Sequence, residues 1–380
     1  MQKNRLLLIA VSSLVCSSAS ANQAYESIAP IAYMVDLSSG AVLFDKQSAH
    51  QIPPASMAKM MTAYVVFDMI KQKKVRLDKQ YKFTPEIWKQ WNNRGSTMFL
   101  AAGEVVTVEN LLHGTITLSG NDAAITLATG VAGSETAFVK EMNVTAKRLG
   151  MKSSHFGTAN GWPDEGRTFT TARDLATLAK RTVTDFPDLY IKFYGQKDFK
   201  WSGVTQPDRN PLLGKVAGAD GLKTGHTDEA GYCFTGTASQ KGRRLLMVVA
   251  GLNSFESRVA ESTKFMNWGF SAWTSKPLYK KGALIAVAPV QLGTDRSLQL
   301  TAAQNIAVTL PIDQAQGYKL FVRYKGPIKA PIGKGDIIAN LVVKMADGSE
   351  QITPLTAPKT IESAGFFGRA FNGFISIFSA

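Results

Sequence analysis

The sequence predicts an α+β protein: helices around an antiparallel sheet, then a small all-β domain, then a C-terminal amphipathic helix. Three observations predict this. Up to Phe270, helical and strand-like stretches follow one another without βαβ regularity. From Pro277 to about Pro358 no helical period is visible, and alternating runs are broken by Gly and Pro. Beyond Pro358, apolar residues recur at helical spacing. The chain has 380 residues, 45% hydrophobic and 19% charged, with no internal repeats. That is enough to bury a large core, and the composition is globular. The expected division is 1–21, 22–276, 277–360 and 361–380.

Residues 1–21 read as a secretory leader. Lys3 and Arg5 precede the apolar run 6–11, and Ala19-Ser20-Ala21 is a small-x-small cleavage site. The run is too short for a good membrane span. Removing it takes away Cys16 and leaves Cys233 as the only cysteine, so no internal disulfide is expected. Cys233 lies in an apolar strand-like run and is expected to be buried rather than reactive. Without Lys3 and Arg5, 41 basic and 29 acidic residues remain, a net charge of +12. Outside the cytoplasm, such a charge favours lipid head groups and acidic wall polymers. The basic residues are scattered with no aromatic-basic module, so nucleic acid is not expected. The four histidines, at 50, 113, 155 and 226, lack metal-site spacing, and no metal or cofactor is expected.

Taken in order, residues 31–35 and 41–44 are strands of a hairpin. A helix follows, from near Ala55 to about Lys71, where Lys71, Lys73 and Lys74 suit a helix C-terminus. Residues 82–105 read as irregular. Helices are expected at 109–117, 123–131, 135–149 with Ser134 as N-cap, and 172–183 with Thr171 as N-cap. Residues 231–238 and 245–251 are strands, and 256–270 is an amphipathic helix.

Three short motifs carry chemistry. In Pro54-Ala55-Ser56-Met57-Ala58-Lys59, serine and lysine stand one helical turn apart, roughly 5–6 Å between Cβ atoms. A serine hydroxyl is a weak nucleophile until a base takes its proton, and a desolvated lysine can be that base. Ser56 is read as nucleophile and Lys59 as activator. Ser119-Gly120-Asn121 sits on a turn between helices. There Ser119 could relay a proton from Lys59 to a leaving amine, and Asn121 could hold a substrate carbonyl or orient Lys59. Lys223-Thr224-Gly225 precedes a strand, where a cation beside a hydroxyl suits a carboxylate. Gly225 would let a substrate backbone lie against the strand, and His226 and Thr227 would line the same edge.

Together, in this order, the motifs resemble those of the penicillin-binding protein and serine β-lactamase superfamily: S-x-x-K, S-x-N and K-T-G. Ser119-Gly120-Asn121-Asp122-Ala123 and Asp220 to Thr227 bring the resemblance to low-molecular-mass penicillin-binding proteins of the D-alanyl-D-alanine carboxypeptidase type. It extends along nearly the whole mature chain, including a trailing β domain and a membrane-anchoring tail. It implies a β-lactamase/transpeptidase-like catalytic domain that takes the terminal D-alanine from peptidoglycan stem pentapeptides through an acyl-enzyme on Ser56. It implies an oxyanion hole from the backbone N–H groups of Ser56 and His226. Lys223 and Thr224 would grip the substrate carboxylate, with Arg258 and Arg209 as further candidates. β-Lactam antibiotics would acylate Ser56. Residues 157–170 do not match the loop motif of class A β-lactamases, so rapid antibiotic hydrolysis is not expected. The alternatives are a D-Ala-D-Ala endopeptidase, a weak β-lactamase, and a non-catalytic wall-binding protein.

In the tail, Phe367, Phe371, Phe374, Ile375 and Phe378 form an apolar stripe. Glu362, Arg369 and Asn372 make it a poor span, and lying in the membrane interface suits it better. The expected location is the periplasmic face of the bacterial inner membrane. Oligomeric state is not legible.

Overall fold

A computed structural model describes residues 4–9, 25–312, 317–346 and 348–365, the first stretch as backbone only. Most of the expected leader, and the apolar stripe from Phe367 to Phe378, lie outside the described residues. Two compact units are present: residues 24–37 with 42–270, and residues 38–41 with 271 onward.

The first unit holds a five-stranded antiparallel sheet. Its strands are β1 (Ile31–Asp36), β2 (Val42–Lys46), β3 (Ala219–Thr227), β4 (Gly231–Gln240) and β5 (Arg243–Leu252), in spatial order β3-β4-β5-β1-β2. The expected 31–44 hairpin is therefore one side of a larger sheet: β1 pairs with β5, placing Met34 opposite Met247. The helices are α1 (Lys59–Lys71), α2 (Pro85–Trp91), α3 (Val108–Ile116), α4 (Asn121–Ala132), α5 (Glu135–Leu149), α6 (Ala172–Asp185), α7 (Pro187–Phe193) and α8 (Phe255–Ser271).

Helix α1 is central. Its first nine residues, Lys59 to Phe67, are all buried, and a helix apolar on all sides belongs inside a helical layer. It packs against α3, α4, α5 and α6, and α6 in turn packs on β1 and β5. The helix expected near Ala55 opens as a single 3-10 turn, Ala55–Ala58, before α1 begins at Lys59. Helix α5 has the expected limits. The Ser134 hydroxyl accepts from the Ala137 N–H at 3.1 Å, and Gly150 ends the helix at φ +81°. The region read as irregular contains α2, started by the Thr84 side chain and by proline at the first turn.

The second unit is all β. Its larger sheet runs Tyr318–Lys325, Ile337–Met345, Glu350–Thr356, Ser297–Ala302, Leu284–Gln291 and Ile328–Lys329. The backbone of Asn4–Ile9 pairs antiparallel along the outer edge of Tyr318–Lys325. A ribbon of Trp273–Tyr279 and Ile306–Pro311 accompanies it. Pro277 thus sits inside a strand, and the β region starts ahead of it. At the other end, Ile361 is fully buried and bridges Ile332, while Ser363 bridges Gly293. These residues, expected in the terminal helix, belong to the β unit because their backbone pairs there.

Candidate active site

Ser56 lies in the 3-10 turn ahead of α1, and Lys59 is the first α1 residue. The turn lets Lys59 Nζ reach Ser56 Oγ at 2.9 Å. Lys59 Nζ also donates to Asn121 Oδ1 at 2.7 Å and to the Asn160 carbonyl at 2.9 Å. The Asn121 orientation is fixed, because its Nδ2 donates to the Arg94 carbonyl at 2.9 Å, an oxygen that can only accept. Lys59 is 1% exposed. Burial holds its ammonium well below the ordinary lysine range, and the nearby Lys223 and Arg209 cations push the same way. Once deprotonated, the Lys59 amine has two N–H groups and one lone pair. Asn121 Oδ1 and the Asn160 carbonyl are acceptors only, so they take the two N–H groups. The lone pair is left for the Ser56 hydroxyl, the partner that has a proton to give.

Ser119 sits between α3 and α4 at φ +61° and is 3% exposed. The segment is anchored from below by Asp122 in the first turn of α4. The Asp122 carboxylate accepts from the backbone N–H groups of Met98 and Leu100 and from the Thr97 hydroxyl. The Asn121 N–H donates to the Ser96 carbonyl at 2.7 Å.

Lys223, Thr224 and Gly225 lie on β3, the edge strand nearest the nucleophile. Lys223 is 3% exposed and donates to its neighbour's carbonyl, Thr224 O, at 3.2 Å. Burial and the Arg209 charge lower its proton affinity, while Asp208 opposes them. A Cβ on Gly225 would stand 2.7 Å from the Pro54 carbonyl and 3.2 Å from Met57. Glycine is thus required for β3 to approach the Ser56 turn, a reason different from the expected one of admitting a substrate backbone.

A cleft of about 960 Å³ opens over the nucleophile, with Lys59 and Lys223 outside its lining. Ser56, Ser119, Asn121, Thr224, Gly225 and His226 line it, with Arg209 and Arg258 among its walls. The exposed His226 ring lies 3.9 Å from the Tyr232 ring. Arg258 is buried between Tyr232 and Phe255, with Nη1 3.4 Å from the Gly225 carbonyl. Arg209 donates to Ser96 Oγ at 2.6 Å across the cleft. Cys233 is buried with its thiol pushed up to about 11 by burial, an unreactive state.

In sequence, the loop 157–170 is compared only with a class A loop motif and assigned no part in the site. The first turn of α1 grips it twice: Thr62 Oγ1 donates to the Ala159 carbonyl, and Lys59 to the next one. A Cβ on Gly161, at φ +73°, would fall 1.9 Å from the Ala55 carbonyl. Arg94 stacks on Trp162 at 4.8 Å, and Trp162 meets Trp91 edge-on at 5.5 Å. The one hint in sequence was a glycine after an asparagine in a polar stretch.

A serine hydroxyl 2.9 Å from a buried lysine amine of lowered proton affinity, in a cleft walled by Arg209 and Arg258, is the site of a serine acyl-transferring enzyme. The comparisons agree. A model described as D-alanyl-D-alanine carboxypeptidase matches residues 17–254, and one described as penicillin-binding protein 5, C-terminal domain, matches residues 273–363. The D-alanyl-D-alanine carboxypeptidase DacC of Escherichia coli (strain K12) is 35% identical over 344 residues, 89% of this chain and 86% of the relative. The crystal structure of penicillin-binding protein 5 from Haemophilus influenzae superposes with a TM-score of 0.79 at 31% identity, covering 90% of this chain and all of that one. Penicillin-binding protein D2 of Listeria monocytogenes in its cefotaxime-bound form matches at a TM-score of 0.60 and 30% identity, over 66% of this chain and all of that one. The chain belongs to the D-alanyl-D-alanine carboxypeptidase family.

Proposed function

We propose that this protein is a serine D-Ala-D-Ala carboxypeptidase that trims peptidoglycan stem pentapeptides outside the cytoplasmic membrane and is acylated by β-lactams. The observation that carries the mechanism is the set of partners around Lys59. Ser56 Oγ attacks the carbonyl of the penultimate D-alanine while its proton passes to Lys59 Nζ. The backbone N–H groups of Ser56 and His226 receive the developing charge. Ser119 relays the proton to the departing amine. Lys223, Thr224 and Arg209 hold the free carboxylate, with Arg258 bracing β3 behind them. Water then releases the shortened peptide. A β-lactam presents the same carbonyl and carboxylate, which is why it enters the same path.

Labelling with a fluorescent penicillin tests this: the wild type should carry one covalent label and Ser56→Ala none. An unlabelled wild type would sink the mechanism. Incubation with a pentapeptide and with a cross-linked dimer then separates carboxypeptidase from endopeptidase, and free D-alanine from the pentapeptide is the expected product.

Export rests on the basic, apolar and small-residue pattern of residues 1–21, and membrane attachment on the stripe from Phe367 to Phe378. Among the described residues no helix is long and apolar enough to cross a membrane. A chain lacking residues 366–380, which spares the paired Ile361 and Ser363, should leave the membrane fraction on lysis. If it stays there, the tail is not the anchor.

A further inference from the structure

The Asn160 side chain is 1% exposed and lines the catalytic cleft. Its Oδ1 accepts from the Trp162 N–H at 3.0 Å, which fixes the amide orientation. Its Nδ2 then has no hydrogen-bond partner among the described residues. Buried donors are rarely left this way, and a functional site is one place where they are. The backbone carbonyl of the same residue is 2.9 Å from Lys59 Nζ, so the residue that carries the unpaired donor also touches the base.

Valence says what it is for. In the free enzyme with Lys59 deprotonated, the lone pair faces the Ser56 hydroxyl 2.9 Å away. Once Ser56 is an ester, that hydroxyl has lost its proton, and the lone pair needs another donor. Asn121 Oδ1 and the Asn160 carbonyl cannot supply one. A water can. It would donate to Lys59 and still have lone pairs free, one of which the Asn160 Nδ2 group can fill.

We propose that Asn160 is a catalytic residue of the second half-reaction, whose side-chain amide holds the deacylating water against Lys59. The water oxygen bonds to the acyl carbon while one of its protons passes to Lys59 Nζ. The carbon–Ser56 Oγ bond then breaks and Oγ takes that proton back, leaving the free acid and a restored hydroxyl. Acylation does not use this donor.

The inference rests on the acyl-serine mechanism above, and the two fail differently. Wild type and Asn160→Ala are mixed with a fluorescent penicillin, and formation and release of the label are timed separately. The expected result is formation within about threefold of wild type and release slowed at least about tenfold. Hydroxylamine, a nucleophile that needs no such activation, should release the label from both proteins at similar rates. If Asn160→Ala does not fold, Asn160→Asp takes its place. It keeps an oxygen for the Trp162 N–H and removes the donor, and release should again slow more than formation. Equal slowing of both steps, or unchanged release, overturns the role given to Asn160. Absence of any label on the wild type overturns the acyl-serine mechanism itself.

Discussion

Lys59 meets three polar atoms, and the Ser56 hydroxyl is the partner with a proton to give. The sign of the pH dependence follows. Burial and neighbouring cations depress the proton affinity of Lys59 below its ordinary 10.5, so the neutral base persists to lower pH than in a free lysine. Acylation by penicillin should fall as pH drops through that depressed value, where the ammonium returns. The apparent midpoint should lie well below 10.5; a midpoint at the ordinary lysine value would mean the amine is not the base. Lys59→Arg puts a permanent cation where the amine stands and cannot take up the Ser56 proton, and should lower the acylation rate by roughly 10²–10⁴ with the fold intact. At this scale the sequence was informative where motifs exist: Ser56, Lys59, Ser119, Asn121, Lys223 and Thr224 converge on one region. Asn160 was illegible, because it belongs to no motif and reaches Lys59 across 101 residues of chain.

Two glycines decide how elements meet at the nucleophile. Gly161 lies where a Cβ would strike the Ala55 carbonyl, and its φ of +73° adds strain for any other residue. Gly161→Ala should cost roughly 2–5 kcal/mol in a denaturant or thermal melt and slow acylation. Gly225→Ala has ordinary backbone angles but a 2.7 Å clash with the Pro54 carbonyl, so it should cost less stability and still move Ser56. Asp122 fastens the 97–100 segment to α4 through the Met98 and Leu100 N–H groups. Asp122→Asn removes a charged acceptor beside a helix N-terminus and should destabilise by about 1–3 kcal/mol. Elements were legible where caps and periodicity agreed, as in α5, whose ends carry Ser134 and Gly150. Helix α2 was hidden by its shortness, seven residues on a proline start, although Thr84-Pro85 was a usable start signal. Why β3 needs Gly225 was beyond the sequence, since the clash is with a residue of another element.

Every residue of the cleft belongs to the first unit. A chain of residues 22–271 should therefore keep its covalent penicillin label, measured by mass shift; loss of labelling with an intact melt would show that the β unit contributes to the site. The all-β character of that unit was legible from its alternation, but its edges were not. Pro277 and Ile361 take part in strand pairing that no local signal announces. The cations of the site have a consequence for the first encounter with a ligand. Arg258, 5% exposed, and the exposed Arg209 both line the cleft, with Lys223 buried behind them, so the cleft draws anions before any contact is made. Second-order labelling by an anionic penicillin should drop roughly threefold between low and high ionic strength, as screening shortens that reach. A stem peptide whose terminal carboxylate is capped as an amide forfeits this attraction, and should be turned away at the mouth of the cleft however well its peptide bond would have suited Ser56.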